Sequence, residues 1–129
     1  MRFGYTILYV NDVPKTMAFY KKAFCLQTKF LHESNMYGEM KTGATTLAFA
    51  ADALSKQNDF TIVPNKLQNP TPGNEIAFVS DDVKDAYTKA IATGEQPLKE
   101  PVQKPWGQTV AYVRDIINGV LIELCSPLE

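Results

Sequence analysis

Tyr5-Thr6-Ile7-Leu8-Tyr9-Val10-Asn11-Asp12-Val13-Pro14 is the stretch on which the fold turns, because its pattern returns as Glu75-Ile76-Ala77-Phe78-Val79-Ser80-Asp81-Asp82-Val83. In the first copy every residue from 5 to 10 except Thr6 is apolar or aromatic, which suits a strand buried on both faces. Asp12 can then accept hydrogen bonds from free amides of a helix start, and Pro14 is tolerated in the first turn. Val13, Met17, Tyr20 and Phe24 follow at helical spacing as one apolar stripe, with Lys15, Lys21 and Lys22 on the wet side. In the second copy Asp81 or Asp82 takes the capping role, and Val83, Tyr87, Ala90, Ile91 and Gly94 form the stripe. Tyr5 and Glu75 each sit seven residues before their aspartate, Asp12 and Asp82.

Outward from each helix the period changes to that of strands. Residues 26–31, 36–41 and 45–50 are short strand candidates, separated by His32-Glu33-Ser34-Asn35 and Thr42-Gly43, and read as an antiparallel meander. Residues 96–101, 108–114 and 120–125 repeat the triplet. Between the copies, 51–74 carries Pro64, Pro70, Pro72 and Gly73 and reads as a linker or long loop, with a short ordered piece at Phe60-Thr61-Ile62-Val63. The chain is therefore an internal duplication of strand-helix-strand-strand-strand. The expected class is α+β: two βαβββ modules pairing into a cup-shaped, curved mixed β-sheet with helices on the outer face. It forms one domain over 1–129, with modules at about 1–51 and 74–129 and a linker at about 52–73. Two bare sheet faces forming a cup make a ready ligand cavity.

Composition narrows the function classes. With 129 residues the chain is one ordinary domain, large enough to hold a core without disulfide or metal. Thirteen basic and 14 acidic residues give a net charge of −1, which carries no electrostatic footprint for nucleic acid or an anionic membrane. No apolar run approaches a membrane span, and residues 1–10 do not read as a signal peptide. Cys25 and Cys125 are far apart and form no CxxC, so reduced thiols and a cytoplasmic location are expected. One histidine, His32, cannot build a histidine-rich metal site from one subunit, and it lies in a polar turn.

The sequence resembles the vicinal oxygen chelate superfamily, which includes glyoxalase I, extradiol dioxygenases, fosfomycin resistance enzymes and bleomycin resistance proteins. The resemblance rests on the opening strand leading into Phe19-Tyr20, on Trp106-Gly107, on Tyr112-Val113-Arg114-Asp115, and on Gly119-Val120-Leu121-Ile122-Glu123-Leu124. It implies a homodimer and four metal-ligand positions, which fall here on Tyr5, Ala48, Glu75 and Glu123. Only Glu123 keeps a usual ligand identity at its place, and Ala48 has no donor atom. The closing turn Asp115-Ile116-Ile117-Asn118-Gly119 lacks the usual proline and is one residue longer, and Cys25 stands where a glycine is common.

The superfamily's shared chemistry uses a metal that grips two adjacent substrate oxygens, with at least three protein ligands and open positions. Two carboxylates and a phenol form a poor first shell, so no cofactor is expected, although a divalent metal stays open. Glu75 and Glu123, if both face the cup, form a carboxylate pair that could act as a general base or attract a cation; each could equally be satisfied by a neighbouring donor. Tyr5, Ile7 and Tyr9 share one strand face, Tyr112 could join it, and Trp106 sits on a loop, so rings at 5, 9, 106 and 112 could stack on a planar or cationic guest. Tyr5 and Tyr9 could instead pack in a core or dimer interface. Phe19, Tyr20, Phe24, Phe49, Phe78 and Tyr87 read as core. Three functions follow: a metal-free small-molecule binder of the bleomycin-resistance type, a lyase or isomerase of the glyoxalase type using Glu75 and Glu123, or an interaction module with a filled cup.

Overall fold

The computed structural model describes residues 1–128. The described chain forms two compact units, one over 1–65 and one from Lys66 on. Each is a βαβββ module with a four-stranded mixed sheet, and the chain is α+β.

The first unit runs β1 (Tyr5–Val10), α1 (Val13–Phe24), β2 (Gln27–Leu31), β3 (Tyr37–Lys41), β4 (Thr46–Ala51) and α2 (Ala53–Gln57). Asp12 starts α1 as the sequence implies: its carboxylate accepts from the Lys15 amide at 3.0 Å, and Pro14 fills the first turn. The helix ends at Cys25, whose φ of 56° is the left-handed conformation that glycine adopts most easily. Val13, Thr16, Met17, Tyr20 and Ala23 are its buried residues, and α1 packs against β2, β3 and β4. The Tyr20 ring meets Phe49 edge-on with centroids 4.9 Å apart. Gly38 lets the helix approach, because a Cβ there would run into the Met17 side chain. Strand order is β1-β4-β3-β2. β1 runs parallel to β4 with Tyr5, Ile7 and Tyr9 opposite Thr46, Ala48 and Ala50.

Three expectations are corrected here. β1 is not buried on both faces: it is a sheet edge whose helix covers only one side, leaving Tyr5 56% and Ile7 46% exposed. Phe60 to Val63 forms no regular element. The ordered piece of that segment is α2, helped by Ser55 Oγ donating to the Asp52 carbonyl. Of the rings assigned to the core, Tyr20 and Phe49 are fully buried, whereas Phe19, Phe24, Phe78 and Tyr87 are half-buried, because one helix per sheet leaves its own flanks wet.

The second unit runs β5 (Glu75–Val79), α3 (Val83–Thr93), β6 (Gln96–Gln103), β7 (Thr109–Arg114) and β8 (Leu121–Cys125), in the order β5-β8-β7-β6. Asp82, not Asp81, caps α3 by accepting from the Asp85 amide at 3.0 Å. Gly94 lies just past the helix at φ 115° and closes it, so it caps rather than extends the apolar stripe. β5 is parallel to β8 and β7 antiparallel to it. Ile122 and Leu124 are buried on the helix side, so Glu123 is turned to the opposite face.

Candidate functional site

Register builds an acidic cluster on that opposite face of the second sheet. Glu123 on β8 stands across from Tyr112 on β7 and from Ala77 on β5, one pleat from Glu75. The Tyr112 phenol donates to Glu123 Oε2 at 3.2 Å. The Glu75 carboxyl is hydrogen-bonded to Glu123 and is pushed up to about 7 by that bond, by partial burial and by the Glu123 charge. Near neutral pH Glu75 therefore keeps its proton about half of the time, on the bond to Glu123. Burial, followed by the Glu123 charge and hydrogen bond, also raises Tyr112. Cys125 feels the same combination, its thiol pushed up by burial and then by Glu123. The thiol also lies 3.8 Å from the Phe78 carbonyl. The structure therefore brings Glu75, Glu123 and Tyr112 together, and adds Cys125, for which the sequence offered only the alternation of β8 as a signal.

The first unit has a different face. Tyr5, Tyr9 and Ala48 share it, and Ala48 is fully buried. Across from Ala48 on β3 stands Glu39, which accepts from the Tyr37 phenol at 2.8 Å and pairs with Lys29 at 3.6 Å. Burial and Glu39 hold the Tyr37 phenol far above its ordinary value. Where the second unit carries a carboxylate on its last strand, the first carries one on the neighbouring strand, already neutralised by a lysine. Tyr37 and Glu39 were legible only as alternate residues of a strand. Tyr9 meets the edge of Phe60 at 6.0 Å, and its carbonyl accepts from Asn65 at 2.9 Å.

Trp106 stands apart from Glu75. Glu75 opens β5, whereas Trp106 shares a groove of about 410 Å³ with Asp81, beyond the far end of β5, and with Gln108, Ser126 and Leu128. Its ring is 62% exposed and its N–H donates to Gln108 Oε1 at 3.1 Å. His32 is exposed and hydrogen-bonded to Ser34.

The metal that the resemblance implies does not fit this donor set. Among the described residues no three His, Cys, Asp or Glu side chains lie close enough to hold an ion. Ala48 supplies no donor, and the carboxylates of the second unit are engaged with each other and with Tyr112.

A duplicated βαβββ module with ligand-bearing positions on the first and last strand of each copy defines the vicinal oxygen chelate superfamily. The sequence profile of the Glyoxalase-like domain family matches residues 3–129, and this chain belongs to that family. Solved structures agree on the fold. A glyoxalase-related enzyme from Fulvimarina pelagi shares 16% identity and a TM-score of 0.81 over 98% of this chain and 88% of its own. A protein of unknown function from Agrobacterium tumefaciens shares 22% and 0.78 over 99% and 95%. A glyoxalase/bleomycin resistance protein/dioxygenase family enzyme from Burkholderia phytofirmans shares 19% and 0.73 over 95% and 96%. No curated protein sequence matches the chain. No helix is long and apolar enough to cross a membrane.

Proposed function

We propose that this glyoxalase-like protein binds a small organic cation, without a resident metal, at the acidic face formed by Glu75, Glu123 and Tyr112. One observation carries the reading: among the described residues no lysine or arginine forms an ion pair with either carboxyl. The ion pair found among the described residues is Lys29–Glu39, in the other unit. A cation with N–H donors would displace the Glu75 proton and supply the charge that the pair lacks. Sequestration of the bleomycin-resistance kind needs nothing more than such a site. Tyr112 holds Glu123 in place through its phenol.

Calorimetric titration of the wild type, Glu75→Gln and Glu123→Gln with a panel of cationic aromatic drugs tests this. Saturable binding that weakens about tenfold or more in both variants is expected, as for loss of a charge-assisted hydrogen bond. Equal affinity across the three proteins would refute it. In parallel, apo protein loaded with nickel, zinc, manganese and iron(II) should retain no stoichiometric metal. A bound ion lost in both variants would overturn the metal-free reading.

A second reading rests on the Glu75 carboxyl at about 7, a value suited to proton transfer near neutrality. It makes the protein a lyase or isomerase of the glyoxalase type, with Glu75 as proton acceptor and Glu123 as the group that tunes it. Turnover of hemithioacetals that vanishes in Glu75→Gln would select this reading. No turnover by the wild type would leave the binding role.

A further inference from the structure

The second unit holds another acidic pair, and this one is buried. Glu95, between α3 and β6, is 3% exposed, and Asp115 and Asn118 of the β7–β8 turn are buried with it. The donors are shared unevenly. Asp115 Oδ1 accepts from the Ile117 amide at 2.7 Å and the Asn118 amide at 3.0 Å, and its Oδ2 accepts from Asn118 Nδ2 at 3.0 Å. Glu95 Oε1 accepts only from the Ile116 amide at 3.2 Å, and among the described residues no donor reaches Glu95 Oε2. A buried carboxylate oxygen without a donor is costly. The cost is much smaller if the carboxyl carries a proton and is neutral.

The surrounding charges agree. Lys84, Asp85 and Lys89 of α3 and Lys99 and Glu100 of β6 are exposed. Arg114 of β7 spends its guanidinium on carbonyls: Gly119 at 3.0 Å, Leu67 at 3.2 Å and Asn69 at 3.1 Å. Asp115 is the charged group that acts on Glu95, and it repels a second negative charge. Burial, opposed by the Ile116 amide and reinforced by Asp115, lifts the Glu95 carboxyl to about 8.

The turn held by Glu95 is also the anchor of a strap. Gly119 receives Arg114 at its carbonyl, and the same guanidinium ties down Leu67 and Asn69, on the segment leading to β5 and Glu75. We propose that Glu95 keeps its proton while the β7–β8 turn is closed over it beside Asp115, and that losing this proton loosens both the turn and the 66–69 strap. The device is independent of any ligand at Glu75 and Glu123.

The linkage has a definite sign. With the turn closed Glu95 keeps its proton up to about 8; with it open it ionises in the ordinary range near 4.3. The closure is therefore tightest at low pH. It weakens about tenfold per pH unit as pH rises between these values, and levels off above the upper one.

The test is carboxyl ¹³C titration of the whole chain by NMR, together with amide hydrogen exchange corrected for intrinsic rates. Glu95 should titrate near the upper value. Protection of Ile116 to Gly119 and of Lys66 to Asn69 should fall about tenfold per pH unit until the titration is complete, and Glu95→Gln should flatten that fall. The wild-type titration stands alone if the variant does not fold. The proposal is overturned if Glu95 titrates in the ordinary carboxyl range, if protection ignores its titration, if Glu95→Gln keeps the pH dependence, or if protection falls evenly over both units.

Discussion

Replacing Glu123 with Gln perturbs the candidate site most directly. In the wild type the Glu75 carboxyl is raised first by its hydrogen bond to Glu123, then by burial, then by the Glu123 charge. Glutamine removes the charge and turns the accepting carboxylate into a weaker amide acceptor, leaving burial as the main cause. Glu75 is exposed, so burial alone sustains only a small elevation, and its midpoint should fall from about 7 most of the way to the ordinary value near 4.3. Cation binding should follow. A group with a midpoint of about 7 is roughly one-tenth ionised at about pH 6 and roughly nine-tenths at about pH 8. A ligand that needs Glu75 ionised should therefore bind the wild type about tenfold more tightly at the higher pH. In Glu123→Gln the affinity should be lower and flat across that interval, because Glu75 is already ionised. Carboxyl ¹³C titration reads the midpoint, and calorimetry at constant ionic strength reads the affinity. A Glu75 midpoint unmoved by the substitution, or wild-type affinity independent of pH, would refute the reasoning.

Four further substitutions bear on the frame of the two units. Gly119→Ala meets a left-handed φ of 74° and would put a Cβ 2.7 Å from both the Lys66 carbonyl and Leu67 Cα and 2.6 Å from Arg114 Nη2. Conformational strain and displaced backbone together should cost at least about 3 kcal/mol. Gly94→Ala has a similar backbone problem at φ 115° but open space, and should cost only about 1–2 kcal/mol; equal losses in urea unfolding would show that the strap contact carries no weight. Asp12→Ala and Asp82→Ala each remove a side-chain cap and should lower stability by about 1 kcal/mol apiece, seen as a fall in Tm. An unchanged Tm in either would mean that the cap bond is not made in solution.

The fold was legible because the sequence states it twice. Each copy places an apolar strand seven residues ahead of an aspartate that caps the next helix, and local chemistry suffices to read that. Edge positions were harder. Residues 5–10 are as apolar as an interior strand, yet order β1-β4-β3-β2 leaves β1 at the margin, and strand order is not a local property. The candidate site was legible on β5 and β8, where Glu75 and Glu123 interrupt apolar alternation. Glu39 and Tyr37 were not, because their importance depends on standing across from Ala48 and beside Lys29. Glu95 was hidden for the same reason: nothing near it in sequence shows that Asp115 will lie alongside. The α2 turn was masked by a segment rich in proline and amide residues whose composition favours loops.

The two modules share a scaffold but not a charge balance, and that difference argues where chemistry belongs. In the first, the last-strand position is Ala48, and the nearby carboxylate, Glu39, is met by a phenol and an ammonium. Its proton donors are in place, and a cationic guest would first have to displace Lys29. In the second, Glu123 keeps its carboxylate, has Glu75 beside it, and is hydrogen-bonded to the Tyr112 phenol and the Cys125 thiol. Like charge held together without a cation is unfavourable unless a proton or a guest supplies the balance. A proton does so below about pH 7, where Glu75 is neutral, and above it the proposed cationic guest would do so. Duplication gave both modules the same strand ends, and the divergence at Ala48 and Glu123 left one of them closed upon itself and the other in need of a partner charge.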